Sequence, residues 1–167
     1  FTRTNYRAST YMDPYASDKD KMLMEKGWFD VTMPDLNQSN QLVETYLIQT
    51  SLWWIAFSDL DGIRMDTYPY PQPDMMARWA KRVEEEFPGF FIVGEVWYDD
   101  PSHVSYWALN KVNPDGYISN LPSLTDLPLC FATHRAFEGR LNPTDAMSKL
   151  YNLLSQDFLY PEPYRNV

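Results

Sequence analysis

The chain has 167 residues, 44% hydrophobic and 22% charged, the balance of an ordinary globular protein with enough apolar material for one core. Its formal charge of -9, with 23 acidic against 14 basic residues and no basic cluster beyond pairs such as Lys81-Arg82, argues against a nucleic-acid partner. Cys130 is the only cysteine, which excludes an intrachain disulfide and a thiolate metal cluster, and no apolar run reaches the roughly 18 residues of a membrane span.

In chain order, the first regular pattern lies between Ser39 and Phe57, where Leu42, Tyr46 and Gln49-Trp53 recur at helical spacing behind a Ser/Asn cluster able to cap the first turn. GIRMD, residues 62–66, follows as a short strand with alternating apolar and polar residues. TYPYPQPD holds three prolines and excludes regular structure, but MMARWAKRVEEEF after it has the pattern of an amphipathic helix ended by Pro88-Gly89. FFIVGEVW is an apolar run of strand length suited to burial in a parallel sheet. A short helix from Ser102 to Leu109, a turn at NPDG, an extended stretch GYISNLPSL and helical pattern at Ala132–Phe137 and Asp145–Leu154 complete the series.

Strands alternating with helices predict parallel β-α units, hence an α/β fold. Asp66 and Glu95 stand 29 positions apart, close to the roughly 30 residues of one such unit, so both acids fall at the carboxyl ends of successive strands. In a (β/α)8 barrel those strand ends converge on the active-site face, and a whole barrel takes about 250 residues. The chain is expected to supply part of one. An open doubly wound sheet would call for a Gly-rich phosphate loop or a switch-point ligand site, and the sequence offers neither.

Retaining hydrolysis of a glycosidic bond needs two carboxyl groups about 5 Å apart, one to attack and one to give and take a proton. A pair of acids on adjacent strands is a weak signal by itself. The surrounding residues sharpen it: GIRMD resembles the strand-four motif, Gly-x-Arg-x-Asp, of the alpha-amylase family (glycoside hydrolase family 13), and VGEVW, residues 93–97, resembles its strand-five motif. MPDLN, residues 33–37, is similar to the short motif of the neopullulanase and cyclomaltodextrinase branch, and would place Asp35 and Asn37 at the end of the long loop after strand three.

The resemblance implies a partial TIM barrel, roughly strands four to six with flanking helices, with residues 1–37 the end of the loop domain and 38–167 part of the catalytic barrel. It implies Asp66 as nucleophile and Glu95 as acid/base. Arg64, two positions before Asp66 and on the same side of the strand, would hold it ionised, and Trp97 would shape the sugar site beside Glu95. The substrates implied are maltodextrins, cyclomaltodextrins, pullulan or starch. A glucanotransferase of the same family, or a barrel that binds sugar without turning it over, are the alternatives.

The match departs from the family at TYPY, where related enzymes carry Lys-His or Asn-Glu, so Tyr68 and Tyr70 are the candidates for stacking on sugar there. The third carboxylate, in an Asn-His-Asp motif on strand seven, and the His of the strand-three motif do not occur. PEPYRNV reads as the lead-in to strand seven, and the polypeptide by itself is expected to be catalytically silent without those groups. The chemistry needs no cofactor; Asp13, Asp18, Asp20 and Asp30 are candidate ligands for a structural calcium of the loop domain. The expected partners are an α-glucan, the remainder of the barrel and, compatible with the family, a second copy, with no membrane partner. Periplasmic or secreted location is favoured over cytoplasmic.

Overall fold

The computed structural model describes residues 2–138 and 143–167. Three strands, β1 (Gly62–Met65), β2 (Phe91–Gly94) and β3 (Ser123–Leu124), form one parallel sheet in the order β1-β2-β3. The register sets Gly62 opposite Phe91 and Met65 opposite Gly94, and β3 joins through Ser123 and Leu124. On the β3 edge away from β2, the Val167 N–H donates to Leu124 O at 2.9 Å and the Asp126 N–H to Val167 O at 2.7 Å, the slanted pattern of a parallel ladder.

Helices connect the strands. α1 (Asp18–Lys26) has no counterpart among the sequence expectations, although Ser17 and Asp20 carry its capping signal: the Ser17 hydroxyl accepts the Asp20 N–H at 3.1 Å. α2 (Gln41–Ser58) opens where the Asn40 side chain accepts the Leu42 N–H, and closes at Asp59, which takes a left-handed conformation. α3 (Pro73–Glu86) starts on the proline that its pattern omitted, because a proline is tolerated at the first helical position. α4 is the single turn Pro101–Ser105, half the expected helix, while α5 (Leu127–Phe137) and α6 (Pro143–Leu154) contain the predicted helical stretches.

α3 is amphipathic, and its Met75, Met76, Trp79, Ala80 and Val83 are buried. It is tied to α2 by paired Arg78–Glu44 hydrogen bonds of 2.6 and 2.8 Å and by the Trp79 indole N–H on the Ser51 hydroxyl at 2.9 Å. Ile63 and Met65 line one pocket with Leu47 and Ser51 of α2 and Met75, Met76 and Trp79 of α3. Because strand side chains alternate, Arg64 and Asp66 project from the opposite side of β1.

The predicted strand at 116–124 shrinks to two residues, since Asn120 sits at φ 57° and Pro122 follows it. The segment before β3 instead packs an aromatic cluster: Trp107 meets Tyr11, Tyr68, Tyr106 and Tyr117 edge-on at 4.9 to 5.8 Å between ring centres. No helix among the described residues is long and apolar enough to cross a membrane.

Candidate active site

The parallel register carries the chain past Met65 and Gly94 to Asp66 and Glu95 on the same side of the sheet. The backbone continues the pairing for a step: the Glu95 N–H donates to Met65 O at 2.9 Å and the Tyr68 N–H to Glu95 O at 3.1 Å. The Asp66 and Glu95 side chains are close enough to act on one another electrostatically, the influence of Glu95 being the largest on Asp66. Arg64 spans both, with one guanidinium nitrogen 3.6 Å from Asp66 Oδ2 and the other hydrogen-bonded to Glu95 Oε1. The guanidinium therefore serves Glu95 more closely than Asp66, whereas the sequence pointed to Asp66 alone.

The two acids differ in setting. The Asp66 side chain is 68% exposed and that of Glu95 10% exposed, so one faces solvent and the other is built into the sheet. The Glu95 side chain holds the Asp66 carboxyl below the usual aspartate value; slight burial opposes this, and the Arg64 charge and the Thr67 backbone N–H reinforce it.

The turn after β1 wraps around Glu95. Thr67, at φ 49°, donates its backbone N–H to Glu95 Oε2 at 3.3 Å, and its carbonyl accepts the Tyr70 N–H at 3.0 Å. From the far side the Thr125 N–H donates to Gly94 O and the Thr125 hydroxyl accepts the Val96 N–H, at 3.1 and 3.3 Å. Neither threonine was singled out by sequence: Thr67 acts through its backbone, which leaves no residue-type signal, and the Thr125 hydroxyl serves a backbone N–H brought near only by the sheet.

Of the tyrosine and tryptophan candidates, only Trp97 is largely exposed. Trp97 is 65% exposed, edge-on to Phe131 at 5.9 Å. Tyr70 is half-buried on the helix-covered side, against Phe29 at 4.9 Å and Tyr6 at 6.2 Å, where burial pushes its hydroxyl up to about 12. Tyr68 is fully buried beside Trp107, so its expected stacking on sugar is corrected: it is a core residue. The proline-rich string around it reads as a loop, but its hydrophobic members point inward.

In MPDLN, Asp35 accepts the Gln38 side-chain N–H at 2.8 Å, and burial pushes its carboxyl up against that bond. Asn37 is exposed, and its carbonyl accepts the Asn40 N–H at 3.1 Å just before α2. Of the calcium candidates, Asp13 accepts the Tyr15 N–H, Asp20 the Ser17 hydroxyl, and Asp30 pairs with Arg3. Among the described residues, no three His, Cys, Asp or Glu side chains gather as a metal site.

No family model matches the chain. Curated relatives do. The intracellular maltogenic amylase of Bacillus subtilis (strain 168) is 34% identical over 70 residues, 42% of this chain and 12% of that protein. A cyclomaltodextrinase of Geobacillus thermopakistaniensis is 31% identical over 67 residues, 40% of this chain and 11% of that protein. Among solved structures, an alpha-amylase from Geobacillus thermoleovorans complexed with acarbose superposes with a TM-score of 0.69 at 32% identity, over 89% of this chain. The chain is similar to alpha-amylase-family proteins over most of its length. It spans 31% of that amylase, so only a part of such a catalytic unit is represented by these residues. Within the family, the matched relatives fall on the maltogenic amylase and cyclomaltodextrinase side, in agreement with the MPDLN string.

Proposed function

We propose that these residues form roughly strands four to six of the catalytic (β/α)8 barrel of a retaining glycoside hydrolase that cleaves α-glucosidic bonds in maltodextrins, cyclomaltodextrins, pullulan or starch. The observation that carries this reading is the placement of Asp66 and Glu95 at the ends of neighbouring parallel strands in register, with the Arg64 guanidinium across both. Names of relatives supply the substrate class: a maltogenic amylase and a cyclomaltodextrinase.

In the first step Asp66 attacks the anomeric carbon and forms the Asp66–sugar ester, while Glu95 gives its proton to the departing glycosidic oxygen. In the second, Glu95 takes a proton from water, whose oxygen attacks the anomeric carbon and releases Asp66. Asp66, being exposed, is the partner free to rotate as the sugar enters. A sugar hydroxyl in place of water gives the transferase outcome from the same ester, and exposed Trp97 offers a face for such an acceptor.

The family's third carboxylate is not among these residues, so activity is assigned to a longer polypeptide and the 167-residue chain alone is expected to be silent. Incubating the full-length protein with an activated fluorinated α-glucosyl substrate and mapping the adduct by mass spectrometry tests the reading. A glycosyl ester on Asp66, absent from Asp66→Asn, supports it. An adduct elsewhere, or maltodextrin hydrolysis that survives both Asp66→Asn and Glu95→Gln, overturns it.

A further inference from the structure

We infer that Thr67 is a positioning residue: a backbone conformation imposed on it aims its N–H at the Asp66–Glu95 carboxyl pair and fixes how the two acids face each other. The inference rests on the function proposed above and deepens it.

Thr67 is β-branched and sits at φ 49°, a region such residues rarely enter. A conformation of that kind persists only where its surroundings over-determine it. Here they do. Tyr68 and Pro69, the next two residues, are fully buried. The Tyr68 N–H is fixed on Glu95 O at 3.1 Å and the Tyr70 N–H on Thr67 O at 3.0 Å. On the other side, Met65 is held in the sheet by the Glu95 N–H on its carbonyl at 2.9 Å. The chain must leave β1 at Asp66 and plunge into the core at Tyr68, and Thr67 alone absorbs the change of direction.

The product of that bend is a donor pointing between the acids. The Thr67 N–H reaches Glu95 Oε2 at 3.3 Å and also favours the ionised Asp66 carboxyl. A donor at this place favours negative charge on the pair, and it does so from a rigid backbone rather than a mobile side chain. Arg64, the other donor, is half-exposed and can move with solvent. The buried turn cannot.

The test separates the N–H from the strain. In the full-length protein, residue 67 is replaced by the α-hydroxy analogue of threonine, so that an ester oxygen stands where the N–H was and φ is kept. The expected result is a fall of about tenfold in kcat with KM within about twofold, and a move of the carboxyl titration to higher pH, because a donor to the ionised form is lost. Unchanged kcat and titration with an unchanged circular-dichroism spectrum overturn the inference. Thr67→Gly retains the N–H and removes the steric penalty, so its Tm rises by a few degrees with kcat within about threefold; a lower Tm overturns the claim that Thr67 is strained. Carbon-13 titration of the Asp66 and Glu95 carboxyls needs no turnover. If the protein proves inactive on glucans while the ester still moves that titration, the functional reading fails and the positioning stands; if it hydrolyses glucan and the ester changes nothing, the reverse holds.

Discussion

Tyr68 packs directly on Gly94: a methyl group added to the glycine would stand 3.0 Å from Tyr68 Cγ and 2.5 Å from Leu121 Cδ2. The Leu121 contact is the far end of a flexible side chain and can give way. The Tyr68 ring cannot, being fully buried against Trp107. Gly94→Ala is therefore expected to destabilise the fold by about 1–3 kcal/mol, measured by urea unfolding. The larger consequence is positional, since Gly94 immediately precedes Glu95, and an alanine that pushes Tyr68 outward also moves the turn that wraps the acid.

Asp66 should retain its charge to lower pH than an ordinary aspartate. Its largest cause is the Glu95 side chain, so Glu95→Ala is expected to raise the Asp66 titration midpoint more than Arg64→Met does, both moving it upward. A group with a depressed folded value adds stability above its unfolded value and loses it as pH falls through the folded one. The side chain is 68% exposed and solvent screens the effect, so the check is carbon-13 NMR of the Asp66 carboxyl rather than a stability curve. A midpoint at or above the ordinary aspartate value in the unsubstituted protein counts against the arrangement.

Trp97 and Tyr68 are expected to separate cleanly. Trp97→Ala should weaken binding of a maltooligosaccharide by about 0.5–1.5 kcal/mol with little change in Tm, because most of its ring faces solvent. Tyr68→Ala should cost about 3–5 kcal/mol of stability, as removal of a buried aromatic does. Calorimetric binding and thermal unfolding on the same two variants read both quantities. Equal binding by Trp97→Ala and the unsubstituted protein removes Trp97 from the sugar site.

These contrasts show where sequence is informative. Asp66 and Glu95 are legible because one β-α unit has a nearly fixed length and because the residues around each acid form short motifs. α2 and α3 are legible through periodicity and their end signals. Tyr68 is not, since its burial follows from where Trp107 and Leu121 arrive from distant sequence, and the prolines on either side suppress any local pattern. Thr67 is legible neither by type nor by spacing; its role lies in a backbone angle. The Arg64–Glu95 contact depends on the register between strands, which no single segment encodes.

Glu44 is the only charged residue of α2, and its partner Arg78 holds its carboxyl below the ordinary glutamate value against slight burial. The stabilising contribution is present above the unfolded value and disappears as pH falls through the folded one. Arg78 is 53% exposed, so Glu44→Gln is expected to cost less than about 1 kcal/mol in urea unfolding, with the deficit shrinking at high salt. A loss several times larger would mean that the pair, rather than the Met75, Met76 and Trp79 face, holds α3 in place.

Residues 62–65 lie opposite 91–94 rung for rung, and this ladder makes the spacing of the two acids sensitive to reading frame but not to loop length. Lengthening the connection after the 67–70 turn, between α3 and β2, would leave both acids where they are, since neither is hydrogen-bonded to that stretch. One residue inserted between Phe91 and Gly94 would turn Glu95 toward the helices and leave its partner alone on the open side. Tolerance to change should thus alternate sharply along the chain, generous across the crossover and close to nil over four rungs of backbone.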